Sequence, residues 1–377
     1  TDSQELTNSL FSFCKIYGLN FNHKKISNEK GLRFIKKIKI ISKSIKNKPL
    51  IWLLYFCIKR FPILIYKKRN KINLQNQVLF ISYLFNIRKS DQDKPYGVDS
   101  FWTPICKKLA KEDKKLNYLS IFVASNFPRN IFQASNFVKI FNRYNFLKSE
   151  INLLDSFLSF KIILNTIKFF LRAKSICSNI SPSTILKLPS GVNVSHLLAQ
   201  DWFDSFQGRI LIENALFAAM FENICIKLIN PKKVFYLLEN QGWEYAFILN
   251  FRKIHPNIPV YGFCHSSLRF WDLRYYSLNK LDQNKTIDLS PSKFITNGPQ
   301  DTKLLIESGL NERKIIELEA LRYLDLKQNL PKKTKHIFDL SHRKLKVIVL
   351  GDFSERINYR IFDIINDLDI KIKKKIE

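Results

Sequence analysis

Two apolar runs in the middle of this chain are each followed by a residue that can move a proton. Glu239 comes directly after Val234–Leu238, and His265 comes shortly after Ile258–Phe263. Both runs have the length of a buried strand, and an amphipathic helix separates them. Ligands bind outside the carboxyl ends of parallel strands, and a carboxylate or an imidazole placed there can act as a general base. The sequence therefore predicts one wall of an active site, with Glu239 and His265 as its catalytic candidates.

Polar, basic and aromatic residues near the same strand ends are candidates for binding a substrate. Arginine can clamp a phosphate through two hydrogen bonds, and an aromatic ring can stack on a sugar or a base. The candidates for binding substrate or phosphate are Asn240, Gln241, Ser266, Arg269, Arg274, Asn297, Glu319, Arg322 and Trp102. The competing interpretations are structural: the loop after His265 could be packed by its own aromatic side chains, and Glu319 could simply pair with Arg322. Glu244, in the first turn of the intervening helix, is expected to cap that helix.

Familiar catalytic and metal-binding motifs are missing from the chain. It contains no P-loop, GxGxxG, HExxH, EF-hand loop or GxSxG elbow. Its six cysteines show no CxxC spacing, which argues against a zinc site and a disulfide framework and favours a reducing compartment. We therefore predict no metal site and no cofactor.

Short apolar runs alternate with helix-length periodic segments, which favours an α/β fold with a mostly parallel sheet. The predicted strands are Gln77–Phe85, Leu116–Val123, Val234–Leu238, Ile258–Phe263, Lys293–Thr296 and Lys314–Leu318, and the predicted helices include Phe101–Lys111, Leu153–Leu171, Arg209–Lys227 and Gln300–Ser308. Residues 76–326 are interpreted as a Rossmann-like domain with a helical insertion at about 130–228.

A second domain is expected after a Lys- and Pro-rich linker at 327–343. Within residues 344–377, an apolar run that ends at Gly351 is predicted to be a buried strand, and the helix Asn358–Leu368 follows it. This pattern is typical of the start of a second Rossmann-like domain. Because the chain stops within a Lys-rich segment, we expect it to be a fragment that is cut early in this domain.

The net charge of +30 over 377 residues has two interpretations. One is compositional, because Lys, Asn, Ile and Phe are all abundant; the other is attraction to anionic lipid, nucleotide phosphate or nucleic acid. Residues 1–75 are basic and mainly helical in pattern. Within them, Pro49–Tyr66 begins with an apolar run of only ten residues, too short to span a bilayer. Its basic flanks suit a helix lying in the headgroup region of a membrane, and a buried helix pair is the alternative.

Several motifs, taken in order, resemble a bacterial family of surface carbohydrate biosynthesis proteins with the two-Rossmann-domain GT-B architecture. The motifs are SYLFN at 82–86, Ser100-Phe101-Trp102, LENQGWE at 238–244, YGFCHS at 261–266, RFWDLRYY at 269–276, TNG at 296–298, EALRY at 319–323 and LGDF at 350–353. The resemblance runs in the same order over most of residues 77–355.

The resemblance implies a cytoplasmic glycosyltransferase, peripheral at the inner face of the plasma membrane, that acts in O-antigen or capsule assembly. Residues 76–326 would bind a lipid-linked or glycan acceptor, and a nucleotide-sugar donor would bind mainly to the second domain, so the fragment alone is expected to be inactive. One alternative is a polyol-phosphate transferase of the teichoic-acid type. Another, from a different class, is a non-enzymatic scaffold or nucleic-acid-binding protein. Nucleic-acid binding is disfavoured because the basic residues are spread along the chain and no recognised binding module occurs.

Overall fold

A computed structural model of the chain describes residues 48–65, 72–73, 77–84, 102, 105, 109, 115–125, 127–144, 149–188, 190–268, 275, 288–320, 349–351 and 355–368. The chain divides into two units, Thr1–Leu324 and Asp325–Glu377.

Seven parallel strands form the central sheet of the first unit. In chain order they are β1 Gln77–Leu84, β2 Lys115–Phe122, β3 Ser149–Leu153, β4 Val234–Leu238, β5 Val260–Cys264, β6 Lys293–Thr296 and β7 Ile315–Glu317. Across the sheet the order is β3-β2-β1-β4-β5-β6-β7, and every neighbouring pair is parallel. The prediction of an α/β fold with a parallel sheet is confirmed. The strand order reverses between β1 and β4, and this arrangement is compatible with a Rossmann-like fold.

The sheet is flanked by helices of very different lengths. The longer helices of the first unit are α1 Pro49–Ile65, α2 Ile131–Tyr144, α3 Phe160–Ser178, α4 Ser195–Phe206, α5 Arg209–Lys227, α6 Gly242–Ile254 and α7 Pro299–Glu307. Shorter elements are the helical turns Leu154–Phe157, Pro182–Ile185 and Glu312–Lys314, and the paired two-residue strands Ile72–Asn73 and Leu228–Ile229.

Both faces of the sheet are buried, which explains why the strands read as continuous apolar runs rather than as alternating ones. On one face, Leu79 and Ile81 of β1 belong to a core that includes residues of α1, α3, α5 and α6. On the other face, Phe80 and Leu84 belong to a core that includes residues of α2. The sheet is therefore the middle layer of the unit, and its carboxyl edge is the place where loops can build a site.

The helix predicted at Leu153–Leu171 was placed too early. The structure has strand β3 and a short helical turn before α3 begins at Phe160. The side chain of Asn142 donates to the carbonyl of Ile151 at 2.9 Å and accepts from its N–H at 2.8 Å, which holds this segment extended. Ser159 then caps α3 with its side-chain oxygen. The segment interpreted as a helical insertion at about 130–228 therefore contains a strand, β3, between α2 and α3.

The second unit contains α8, Glu355–Asn366. The predicted strand that ends at Gly351 is wrong for its three described residues, 349–351, which form no strand, and Leu350 is 81% exposed. A strand is stable only when it is paired, and no described residue pairs with this segment. Residues 1–47, most of the helix predicted at Phe101–Lys111 and the linker at 327–343 lie outside the described residues.

Candidate functional site

Glu239 and His265 are brought together at the carboxyl edge of the sheet. Leu238 and Cys264 are paired residues of β4 and β5, so the next residue of each strand emerges side by side. Nδ1 of His265 lies 3.4 Å from Oε1 of Glu239, and the two side chains are 31% and 21% exposed. The backbone N–H of His265 also donates to the carbonyl of Leu238 at 3.2 Å. The acid and the imidazole therefore form a pair that is reachable from solvent.

The turn that carries Glu239 is held by a second, buried carboxyl group. Oε1 of Glu244 accepts hydrogen bonds from the N–H groups of Glu239 and Gln241, both at 2.9 Å. Between them, Asn240 adopts the left-handed conformation with φ 58°, which asparagine tolerates better than most residues. The predicted capping role of Glu244 is confirmed, because Gln241 and Glu244 form a capping box at the start of α6. Burial raises the pKa of Glu244 to about 8, although the backbone N–H groups that it accepts from lower it.

A small cavity of about 250 Å³ opens beside the pair. Four of the predicted site residues line it: Glu239, Gln241, His265 and Ser266. The remaining wall includes the side chain of Tyr275, which is buried. We call this space the small cavity. It combines a carboxylate, an imidazole, an amide and a hydroxyl, which is a suitable set for holding a hydroxylated substrate next to a base.

Three other predicted residues lie away from the small cavity. The side-chain amide of Asn297 donates to the carbonyl of Cys264 at 2.9 Å and ties the ends of β5 and β6 together. Glu319 is exposed beyond β7. Trp102 has no exposed surface, and its ring packs against Phe80 and Phe263 with centroid distances of 5.0 and 5.1 Å. A ring without exposed surface cannot stack on a substrate, so Trp102 belongs to the core. Arg269, Arg274 and Arg322 lie outside the described residues.

A cavity of about 590 Å³ lies where the strand order reverses, and we call it the large cavity. Its walls include Tyr83 near the end of β1, Phe122 at the end of β2 and the residues Gln241–Trp243 at the start of α6. One side of α1 and the first turns of α5 complete it. The reversal point of an open α/β sheet is where such proteins bind ligands. Gln241 lines both cavities, so they are neighbours.

Residues that line the large cavity make polar contacts between elements that are distant in sequence. The indole N–H of Trp243 donates to the hydroxyl of Tyr83 at 2.6 Å. Burial raises the pKa of this hydroxyl well above its ordinary value, so Tyr83 stays protonated at neutral pH. Arg60 on α1 binds the buried Asp155 through Nε and Oδ1 at 2.9 Å, and its guanidinium lies 4.4 Å from the ring centroid of Phe56.

Sequence reasoning did not identify the large cavity. Some of its residues gave a signal, because Lys59 and Arg60 interrupt an apolar run and Glu213 interrupts the apolar sequence RILIENALF. Burial raises the pKa of Glu213, and the nearby charge of Arg209 lowers it. A charged group within an apolar helix often marks a functional surface, but the sequence does not show which elements meet there.

No protein-family model matches this chain, and no curated protein matches its sequence at a significant level. The structure by itself defines the class: an α/β protein with a seven-stranded parallel sheet and two neighbouring cavities at the carboxyl edge of that sheet. Among the described helices, none is long and apolar enough to cross a membrane. In the described part of the chain, no cluster of three or more His, Cys, Asp or Glu residues could hold a metal ion.

Proposed function

We propose that the protein is a GT-B-like glycosyltransferase that moves a sugar from a nucleotide-activated donor to a hydroxyl group of a lipid-linked or glycan acceptor. The observation that carries the proposal is the approach of Glu239 to His265 beside the small cavity. The sequence resemblance supports the reaction class and the context, which is assembly of a bacterial surface polysaccharide such as O-antigen or capsule. LENQGWE covers the end of β4 and the start of α6, and YGFCHS covers β5 and the following turn, so both motifs meet at this cavity.

In this mechanism, Nε2 of His265 is the general base. Its other ring nitrogen, Nδ1, faces the Glu239 carboxylate at 3.4 Å, so the carboxylate orients the ring and stabilises the charge that the ring gains. Nε2 takes the proton from the acceptor hydroxyl, the oxygen bonds to the anomeric carbon of the donor, and the nucleoside diphosphate leaves with the electron pair of the broken bond. Gln241 and Ser266 line the same cavity, and we assign them the role of hydrogen-bonding the acceptor.

The departing diphosphate needs positive charge nearby. Enzymes of the GT-B type provide it with basic side chains and helix N-termini. We assign this role to Arg269, Arg274 and Arg322, and the resemblance implies that the nucleotide-sugar donor binds mainly to a second domain. The reaction then takes place at the cytoplasmic face of the membrane, where the nucleotide sugar is available.

A transfer assay with the full-length protein tests the proposal. Nucleotide sugars and CDP-polyols are offered as donors, each with lipid-phosphate and glycan acceptors. Glu239→Gln and His265→Gln should each lower kcat by about 10²–10⁴-fold, the usual contribution of a positioned general base. His196→Gln removes an exposed histidine on α4 and is the matched control, so it should leave kcat unchanged.

The possible outcomes separate the candidate functions. Unchanged turnover in both variants, with a wild-type circular dichroism spectrum, would remove the Glu239–His265 pair from the mechanism. Product formed only from CDP-polyols would identify a polyol-phosphate transferase instead. No product from any donor, together with a steeply salt-dependent affinity for RNA or DNA, would favour a nucleic-acid-binding protein.

A further inference from the structure

We propose that the large cavity binds the phosphate or diphosphate headgroup of a membrane-borne amphiphile whose apolar chain stays in the bilayer beside α1. The inference rests on the proposed function, because this amphiphile would be the acceptor. It narrows the acceptor from a lipid-linked or glycan molecule to the lipid-linked class, and it assigns a site to its headgroup.

The first observation is an exposed apolar stripe along α1. Leu50, Leu54, Ile58 and Phe61 recur at helical spacing and are 51%, 59%, 61% and 56% exposed. The helix contains no acidic residue in its 17 positions. At a rise of 1.5 Å per residue it is about 26 Å long, and it is not among helices able to cross a membrane. An apolar stripe on a helix whose charges are all basic fits the headgroup region of an anionic bilayer, with the helix parallel to its plane.

The second observation is that another side of α1 forms a wall of the large cavity. Trp52 and Phe56 line it with stacked rings whose centroids are 5.4 Å apart. Tyr55 and Lys59 line it as well, and both are also exposed. The cavity therefore opens along the edge of the apolar stripe, where the headgroup of a lipid would lie while its chain contacts the stripe.

The third observation is the charge of the cavity. Its described lining residues include three cations, Lys59, Arg60 and Arg209, and one carboxyl group, Glu213. Asp155 offsets the charge of Arg60, and Glu213 lies near Arg209, so the three cations and two acids leave a net positive charge for a phosphate. Arg209 is the first residue of α5, where the helix dipole adds partial positive charge. Positive charge beside aromatic rings suits an anionic headgroup attached to an apolar chain.

The position of the cavity connects headgroup binding to the chemistry. Gln241 lines both the large and the small cavity, so the two spaces adjoin. When the headgroup lies in the large cavity, the acceptor hydroxyl of the same molecule would lie in the small cavity beside His265. A soluble phosphate would use Lys59 and Arg209 but would leave the apolar stripe without a role. An ordinary anionic bilayer would use the stripe but would not need a cavity at the strand-order reversal.

A binding assay tests the inference without requiring turnover. The full-length protein is sedimented with phosphatidylcholine vesicles that carry polyprenyl phosphate, and with vesicles that carry the same charge density as phosphatidylglycerol. Soluble glycerol phosphate is titrated separately. We expect the polyprenyl phosphate vesicles to bind at least about tenfold more tightly than either of the other ligands, since only they combine both kinds of contact.

Variants with matched controls locate the two contacts. Arg209→Gln should weaken binding to polyprenyl phosphate vesicles by about 10–100-fold, as expected for the loss of a charge-assisted hydrogen bond. Lys168→Gln, an exposed cation on α3, should not. Leu54→Glu together with Ile58→Glu should weaken binding to all vesicles, whereas Ile226→Glu, at a position that is 66% exposed on α5, should not.

Several results would overturn the inference. Equal affinity for phosphatidylglycerol and polyprenyl phosphate, or equal losses in Arg209→Gln and Lys168→Gln, would show that there is no headgroup site. Equal affinity for soluble glycerol phosphate and for polyprenyl phosphate vesicles would show that the apolar chain does not contribute to binding. Glu239→Gln should bind vesicles like the wild type, so a protein that binds polyprenyl phosphate but transfers no sugar would contradict the proposed function and leave this site standing.

Discussion

Replacing Glu244 by glutamine tests how the turn that carries Glu239 is held. Glu244 is 1% exposed, and its Oε1 accepts two backbone hydrogen bonds at 2.9 Å. Because burial raises the pKa of Glu244 to about 8, the folded protein holds this carboxyl mostly protonated at neutral pH. Glutamine keeps the shape and the acceptor oxygen but cannot ionise. Glu244→Gln therefore mimics the protonated acid at every pH.

The size of the effect follows from the shift in pKa. The ordinary pKa of a glutamate is 4.5, and that of folded Glu244 is about 8, so folding takes up a proton between these values. The stabilisation from this proton is fully present below about pH 4.5 and is lost as the pH rises through about 8. Each pKa unit corresponds to about 1.4 kcal/mol. When the pH rises from below 4.5 to above 8, the free energy of unfolding of the wild type should therefore fall by about 5 kcal/mol relative to that of Glu244→Gln.

Urea denaturation of both proteins near pH 5 and near pH 9 measures this difference. The two should be similarly stable at the lower pH, and Glu244→Gln should be more stable by several kcal/mol at the higher one. Glu222→Gln, which removes an exposed acid on α5, is the control and should show no such trend. A difference between wild type and Glu244→Gln that is the same at both pH values would refute the reasoning, because Glu244 would then carry the same charge in the folded and unfolded protein.

Three further changes test other parts of the site. Arg60→Met leaves Asp155 buried without its partner and should lower the free energy of unfolding in urea by about 3–5 kcal/mol; a loss below about 1 kcal/mol would show that the pair is effectively solvated. Asn240→Gly should be nearly neutral, whereas Asn240→Ala should cost about 1–2 kcal/mol because of the left-handed backbone, and equal stability of the two variants in thermal unfolding would contradict that conformation. Gly242→Ala places a Cβ against the side-chain amide of Asn214 and should cost about 1–3 kcal/mol; the loss should largely disappear in a double variant with Asn214→Ala, and its persistence would place the clash elsewhere.

Much of the fold was readable from local patterns. The bounds of β4 and α5 agree with the predicted Val234–Leu238 and Arg209–Lys227. Polar residues flank the apolar run of β4, and the buried apolar residues of α5 keep helical spacing along the whole helix. β3 was missed because its conformation depends on the side chain of Asn142, which lies on a different element. Local patterns contain no information about such a contact.

The candidate site also has one part that the sequence predicts and another part that it does not. Glu239 and His265 follow consecutive strands, and consecutive strands of a parallel sheet often lie next to each other, so their approach could be predicted. The large cavity could not be predicted in this way, because Arg60, Tyr83 and Trp243 come from segments separated by long stretches of chain and meet only after folding. Trp102 shows the opposite error, since its aromatic ring suited a substrate but packing placed it in the core.

By itself, the sequence determined the alternation of strands and helices, the parallel sheet and the acid and imidazole at the ends of two strands. These features depend on hydrophobic periodicity and on neighbours close in the chain, which a linear pattern records. Only the tertiary structure decided the strand order, the burial that raises the pKa of Glu244, and the meeting of α1 with the strand-order reversal to form the large cavity. Those features depend on which distant surfaces exclude water from one another, and that is settled by packing in three dimensions.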